Sequence, residues 1–214
     1  MPVIAVTGRK GGIGKSTLTA NLAAELYNMG RKVLAFDTDP QKSLVAWSRL
    51  GDGVLSLCVE PLETEHPEQF RRRIAAAEKT VDRVLIDTPP GFADPALLAS
   101  LVADLVLIPC GPSPLDLLAA REALAMTLEA RRRRGGVKPL IRFIPSRVMT
   151  NTNLGRDLPG SLADLGEKVL PGITQRIAVA EAALTGLTIA EYAPGSPAQD
   201  EFKALAVAIE RLIR

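Results

Sequence analysis

Short aliphatic runs recur along the 214-residue chain, each set off from the next by a longer stretch with helical spacing. The runs are "PVIAVTG" (2–8), "KVLAFD" (32–37), "VLSLCVE" (54–60), "VDRVLID" (81–87), "ADLVLIP" (103–109) and "PLIRFIP" (139–145). Several are apolar almost throughout, as strands covered on both faces are. The stretches between them predict helices over 15–29, 67–79, 93–101, 114–134, 155–167, 178–185 and 197–213. The longest ends in Arg131–Arg134 and a glycine pair, and cations and glycine suit a helix C-terminus. Strand–helix alternation of this kind builds an α/β protein: a doubly wound, mostly parallel sheet flanked by helices on both faces. With 47% hydrophobic and only 4% aromatic residues, the core is aliphatic, which fits that class. The length suits one well-buried core, and no repeat or linker interrupts it, so residues 1–214 are expected to form a single domain.

Other classes fall away. The formal net charge is +2, so any nucleic-acid surface has to be a local patch. Cys58 and Cys110 sit in apolar runs, make no CxxC pair and are accompanied by one histidine, His66. They read as small core residues, with no metal or iron–sulfur cluster expected. The opening "MPVIAVTG" reads as a first strand and not a signal peptide, with no helix-turn-helix before it. No apolar run reaches the length of a membrane span, and the expected location is the cytoplasm.

The chemistry gathers where strands end, the edge at which open α/β sheets take ligands. Residues 8–16, "GRKGGIGKS", follow the first run and precede a helix. The ending Gly14-Lys15-Ser16 matches a nucleotide phosphate loop, but the template's first glycine is Arg9, with Lys10 next. Gly11, Gly12 and Gly14 let the backbone curl into an anion-binding nest at a helix N-terminus. Lys15 would reach the β- and γ-phosphates, and the Ser16 hydroxyl would bind Mg2+. "FDTDPQ" (36–41) puts Asp37 and Asp39 on an acidic turn after the second run. Such carboxylates can hold a metal-bound water or orient an attacking one, although Asp-x-Asp-Pro is also ordinary turn chemistry. "VLIDTPPG" (84–91) ends a strand in Asp87, the pattern of a Walker B carboxylate, and continues into a stiff Pro89-Pro90-Gly91 turn suited to sensing a γ-phosphate.

On these motifs the chain resembles the ParA/MinD group of P-loop ATPases, and within it the small plasmid-partition ParA proteins without an N-terminal helix-turn-helix domain. Lys10-Gly11-Gly12-Ile13-Gly14-Lys15-Ser16 is the group's deviant phosphate loop, so the missing glycine at Arg9 is expected. "DTDPQ", "IDTPPG", "PCGPSPLDLLAA" (109–120) and residues 173–212 extend the likeness over nearly the whole chain. The resemblance implies ATP and Mg2+ as cofactors. ATP would be held by residues 10–16 and Thr17, with Ser16 and Asp87 on the metal and Asp37 assisting. Asp39 would orient the hydrolytic water, and Lys10 would cross a homodimer interface to the partner's nucleotide. The adenine would lie between Pro145-Ser146-Arg147 and the Tyr192–Gly195 loop, touching Pro194. Arg9 departs from the group, whose members more often carry an uncharged residue there.

The resemblance also implies partners: non-specific DNA for the ATP-bound dimer on the nucleoid, a ParB-like or other adaptor that stimulates hydrolysis, and a plasmid as the leading cargo. Arg176, Lys203 and Arg211 are the DNA-contact candidates, whereas Arg71–Arg73 and Arg131–Arg134 read as solvated helix faces or ends. Two alternatives stand beside this reading, a MinD-like membrane-associated ATPase and an ATP-dependent amide-forming synthetase. Against the first, the closing "EFKALAVAIERLIR" reads as a core helix, and no membrane contact is expected.

Overall fold

The aliphatic runs become strands because only a sheet covered on both sides buries every one of their side chains. The computed structural model describes residues 2–91 and 93–213. The segments "MPVIAVTG" and "EFKALAVAIERLIR" each extend past it by one residue, Met1 and Arg214, which with Phe92 lie outside the described residues. The strands are β1 (Val3–Val6), β2 (Val33–Asp37), β3 (Val59–Pro61), β4 (Arg83–Asp87), β5 (Leu105–Cys110), β6 (Leu140–Pro145) and β7 (Lys168–Val169). All are parallel, in the order β3-β2-β4-β1-β5-β6-β7. The register places Asp87 level with Val6 on one side and Asp37 on the other. β2 and β3 lie to one side of β1 with β4 returning to fill the place beside it, and β5 to β7 run out on the other side, so the loop leaving β1 sits at the switch point where such sheets bind ligands.

The helices are α1 (Lys15–Asn28), α2 (Ser43–Ser48), α3 (Val54–Cys58), α4 (Pro67–Ala77), α5 (Ala93–Val102), α6 (Pro114–Arg133), α7 (Asn153–Ala163), α8 (Ile177–Leu184), α9 (Ile189–Tyr192) and α10 (Pro197–Leu212). One core lies between the sheet and α1, α2, α3, α9 and α10, with Leu22, Leu44, Leu85, Leu107 and Phe202 buried in it. The other lies under α4, α5, α6 and α7, around Phe70, Ile74, Ile86 and Phe143. Helix starts follow local chemistry. Ser113 and Ser196 accept from the amides of Asp116 and Gln199, each with proline in the first turn.

The run 54–60 departs from expectation. Its first five residues form α3, and only Val59–Pro61 pair with β2. Leu55 and Cys58, three apart, are buried while Leu57 is 72% exposed, a helical face that a period-two strand cannot provide. The α3 start is held by the Val54 amide, which donates to the Glu191 carboxylate at 2.7 Å. Helices α2 and α9 and the two-residue β7 were not anticipated. Trp47 of α2 donates its indole N–H to the Leu187 carbonyl at 3.1 Å, tying α2 to the turn between α8 and α9.

Helix α10 buries Phe202, Leu205, Ala206 and Ile209 in the core, as expected of the closing segment. At its far end Glu210, nearly inaccessible, accepts from Arg83 Nε at 2.6 Å and Nη2 at 2.9 Å and pairs with Arg31 at 2.8 Å. Desolvation alone would push its carboxyl up; the Arg83 and Arg31 guanidinium groups outweigh it and hold it below the usual carboxylate range. Among the described residues no helix is long and apolar enough to cross a membrane.

Candidate active site

The loop after β1 curls through two left-handed glycines, Gly12 at φ 73° and Gly14 at φ 92°, a conformation other residues adopt only with strain. Gly14 is the N-cap of α1 and offers no side chain to the first amides of that helix. Those N–H groups and the positive end of the helix dipole are left for an anion. The Lys15 side chain is buried and donates to the Lys10 carbonyl at 3.1 Å. Burial lowers its pKa, with Asp87 and then Asp39 pulling the other way. A cleft of about 1200 Å3 opens over the loop. Gly11, Gly12, Gly14, Lys15, Ser16 and Thr17 line it, with Asp39 and Pro90 beside them.

Asp87 lies beneath the loop, 1% exposed. Its Oδ1 is 3.5 Å from the Thr19 hydroxyl, and its Oδ2 is buried with no hydrogen-bond partner. Desolvation pushes its pKa up to about 7, opposed by Ser16 and reinforced by Asp37. A buried carboxylate oxygen without a donor is an acceptor for a cation, and with the Ser16 hydroxyl it supplies two hard oxygens of the kind Mg2+ takes. Mg2+ binds through one or two protein oxygens and completes its shell with water and phosphate. Both thiols are buried, which pushes them up to about 12 and leaves them unreactive.

Asp37, expected to assist near the metal, lies level with Asp87 and is held by two backbone amides. Its Oδ1 accepts from the Asp39 amide and its Oδ2 from the Val45 amide, both at 3.0 Å. It shapes the acidic turn and seats the start of α2. Desolvation raises its pKa, and the Val45 and Asp39 amides counter that. Asp39 is the partner that faces the cleft, its Oδ1 accepting from the Gln41 amide at 2.9 Å.

The family model for the CobQ/CobB/MinD/ParA nucleotide-binding domain matches residues 4–189. The chain belongs to this family. It is a ParA/MinD-type ATPase with ATP and Mg2+ as cofactors. It is 31% identical over 206 residues to the maintenance of carboxysome distribution protein A of Halothiobacillus neapolitanus, covering 94% of this chain and 93% of that protein. It is 33% identical over 236 residues to the chromosome-partitioning ATPase Soj of Thermus thermophilus, covering 95% and 93%. Its fold matches the septum site-determining protein MinD of Pyrococcus horikoshii in complex with Mg-ADP, with a TM-score of 0.76 at 23% identity over 99% of this chain and 97% of that one.

Lys10, expected to reach a partner's nucleotide, does not line the chain's own cleft; its ammonium is paired with Asp116 on α6. Pro194 also lies off the cleft, on the exposed connection between α9 and α10. The wall facing the loop is built by Ser146–Asn151 after β6 and by residues between 173 and 183, which end in α8. Ser146 and Arg147, expected beside the adenine, stand in that wall, whereas Met149 and Gln175 were missed. The DNA candidates are not brought together. Arg176 is tied to Glu201 at 2.8 Å near the cleft, and Lys203 is exposed on the first half of α10. Arg211 follows Glu210 at the opposite edge of the sheet. Arg132 and Arg133 pair with Glu129 on the exposed face, whereas Arg131, 20% exposed, pairs with Glu167 and Arg134 donates to the Ala103 carbonyl, so only the middle of the run is solvated as expected.

Proposed function

We propose that this ATPase is a dimerising switch that positions a cargo over DNA, with a partner protein triggering hydrolysis. The observation that carries the reading is the split between the two lysines of the loop. Lys15 serves the chain's own cleft from a buried position. Lys10, 43% exposed, points out of it. A cation outside its own nucleotide site can neutralise charge in another subunit's site, as an arginine finger does. Hydrolysis then requires two subunits. Relatives at comparable identity are named for carboxysome distribution and for chromosome partitioning, so the plasmid expected from the sequence is one cargo of three. DNA binding would be a property of the dimer, which pools cations that one chain scatters.

Light scattering and gel shifts on generic duplex DNA test this together. ATP should double the mass and confer DNA binding that weakens steeply with salt; ADP should do neither. DNA binding independent of nucleotide, or a protein monomeric with ATP, would overturn the reading. The adaptor and cargo follow from which neighbouring gene product accelerates turnover.

A further inference from the structure

Two successive carbonyls of the phosphate loop are held by one turn of the opposite wall. The Ser146 hydroxyl donates to the Ile13 carbonyl at 2.9 Å, and the Arg147 guanidinium donates to the Gly12 carbonyl. In a trans peptide the N–H points opposite to the C=O. Fixing the Gly12 and Ile13 carbonyls toward β6 therefore turns the Ile13 and Gly14 N–H groups the other way and holds them in one orientation. Arg147 reaches this position at φ 54°, a left-handed conformation that is costly for a side chain with a Cβ. The cause is visible on either side. The Ser146 amide donates to the Cys110 carbonyl at 2.8 Å, and the Val148 amide to the Ile173 carbonyl at 3.0 Å. Both neighbours are fixed, so the residue between them must kink, and the kink aims the guanidinium at the loop.

We infer that Ser146 and Arg147 form a carbonyl clamp that holds the phosphate loop ready for nucleotide, with Arg147 as its strained, positioning member. The strain is backbone energy retained in exchange for a loop that does not have to organise on binding. The guanidinium also adds positive charge to the rim of the cleft it lines. The inference rests on nucleotide binding at this loop, which titration of the unmodified protein and of Lys15→Ala checks separately.

The test uses the full chain, a fluorescent ADP and a fluorescent ATP analogue with Mg2+, and thermal unfolding without nucleotide. Arg147→Gly removes the guanidinium and tolerates the positive φ. Its nucleotide-free melting temperature should equal or exceed that of the unmodified protein. Its Kd for both nucleotides should rise about tenfold. Arg147→Lys, which keeps a donor, should recover part of the affinity, and Ser146→Ala should weaken both nucleotides in the same sense. An unchanged Kd in Arg147→Gly overturns the clamp. So does a loss of affinity that comes with a lowered melting temperature, because Arg147 would then be only a structural residue.

Discussion

The Lys10 ammonium pairs directly with the Asp116 carboxylate in the first turn of α6. The neighbouring Arg9, for which the sequence offered no role, reaches Glu122 on the same helix at 3.4 Å. Both cations that break the usual loop pattern are thus held by α6. Lys10 must leave Asp116 before it can act on a second nucleotide. Exposed pairs are worth about 0.2–1 kcal/mol, so the restraint is weak enough to be broken by assembly. Lys10→Ala should bind ATP within about threefold of the unmodified protein yet remain monomeric in light scattering. Asp116→Asn should dimerise at lower ATP concentration, by up to about fivefold on the same energy scale. A Lys10→Ala protein with normal partner-stimulated turnover would remove the cross-subunit role.

Asp87 gives the site a pH dependence. Its carboxyl is raised to about 7, chiefly by desolvation, so without metal the fold favours the protonated form. The stability it contributes is fully present below its unfolded value, near 4, and is lost as pH rises through about 7. Mg2+ needs the ionised form, so Mg-nucleotide affinity should increase from pH 6 to pH 8. Asp87→Asn should melt higher than the unmodified protein at pH 8 without Mg2+ and lose the Mg2+ dependence of nucleotide binding. Calorimetry across pH, with and without Mg2+, reads both effects.

Asp39→Ala should trap an ATP-bound dimer, because Asp39 is the acidic-turn carboxylate that faces the cleft. The expected result is slow phosphate release together with prolonged DNA retention. Rapid turnover by this variant would reassign the water-orienting role.

Glu210 holds the buried Arg83 at the edge of the sheet away from the nucleotide. Glu210→Ala leaves that guanidinium without its carboxylate and should cost about 3–5 kcal/mol in urea unfolding, as broken buried pairs do. Nucleotide affinity at a temperature where the variant is folded should be unchanged.

Truncation before Pro197 should yield an unfolded protein, since Phe202, Leu205 and Ile209 complete one of the two cores. A folded, soluble product would mean that α10 is a detachable segment.

The strands and the loop were legible because their signals are local: doubly covered strands are apolar throughout, and the glycine–lysine–serine ending admits few alternatives. Asp87 was legible for the same reason, as a polar residue closing an apolar run. What escaped depends on contacts distant in the chain. A carboxylate pair in sequence does not say how the backbone amides will be shared, and Asp37 takes one on each oxygen while Asp39 takes one. The Val54–Cys58 helix was masked by five residues that suit a strand equally well until Glu191 seats its first amide. Arg147 acts through a kink set by its neighbours and a carbonyl 135 residues away. Pro194 was placed at the nucleotide by resemblance alone, and the wall is built from other residues.

Trp47 is the chain's single tryptophan, and its indole bridges α2, which follows the acidic turn, to the α8–α9 turn bordering the cleft wall. The protein therefore carries its own optical reporter. Any rearrangement of Asp39 that shifts α2, or any displacement of α8 when nucleotide enters, alters the hydrogen bond and solvent shielding of one fluorophore, so the switch can be followed in real time without a label.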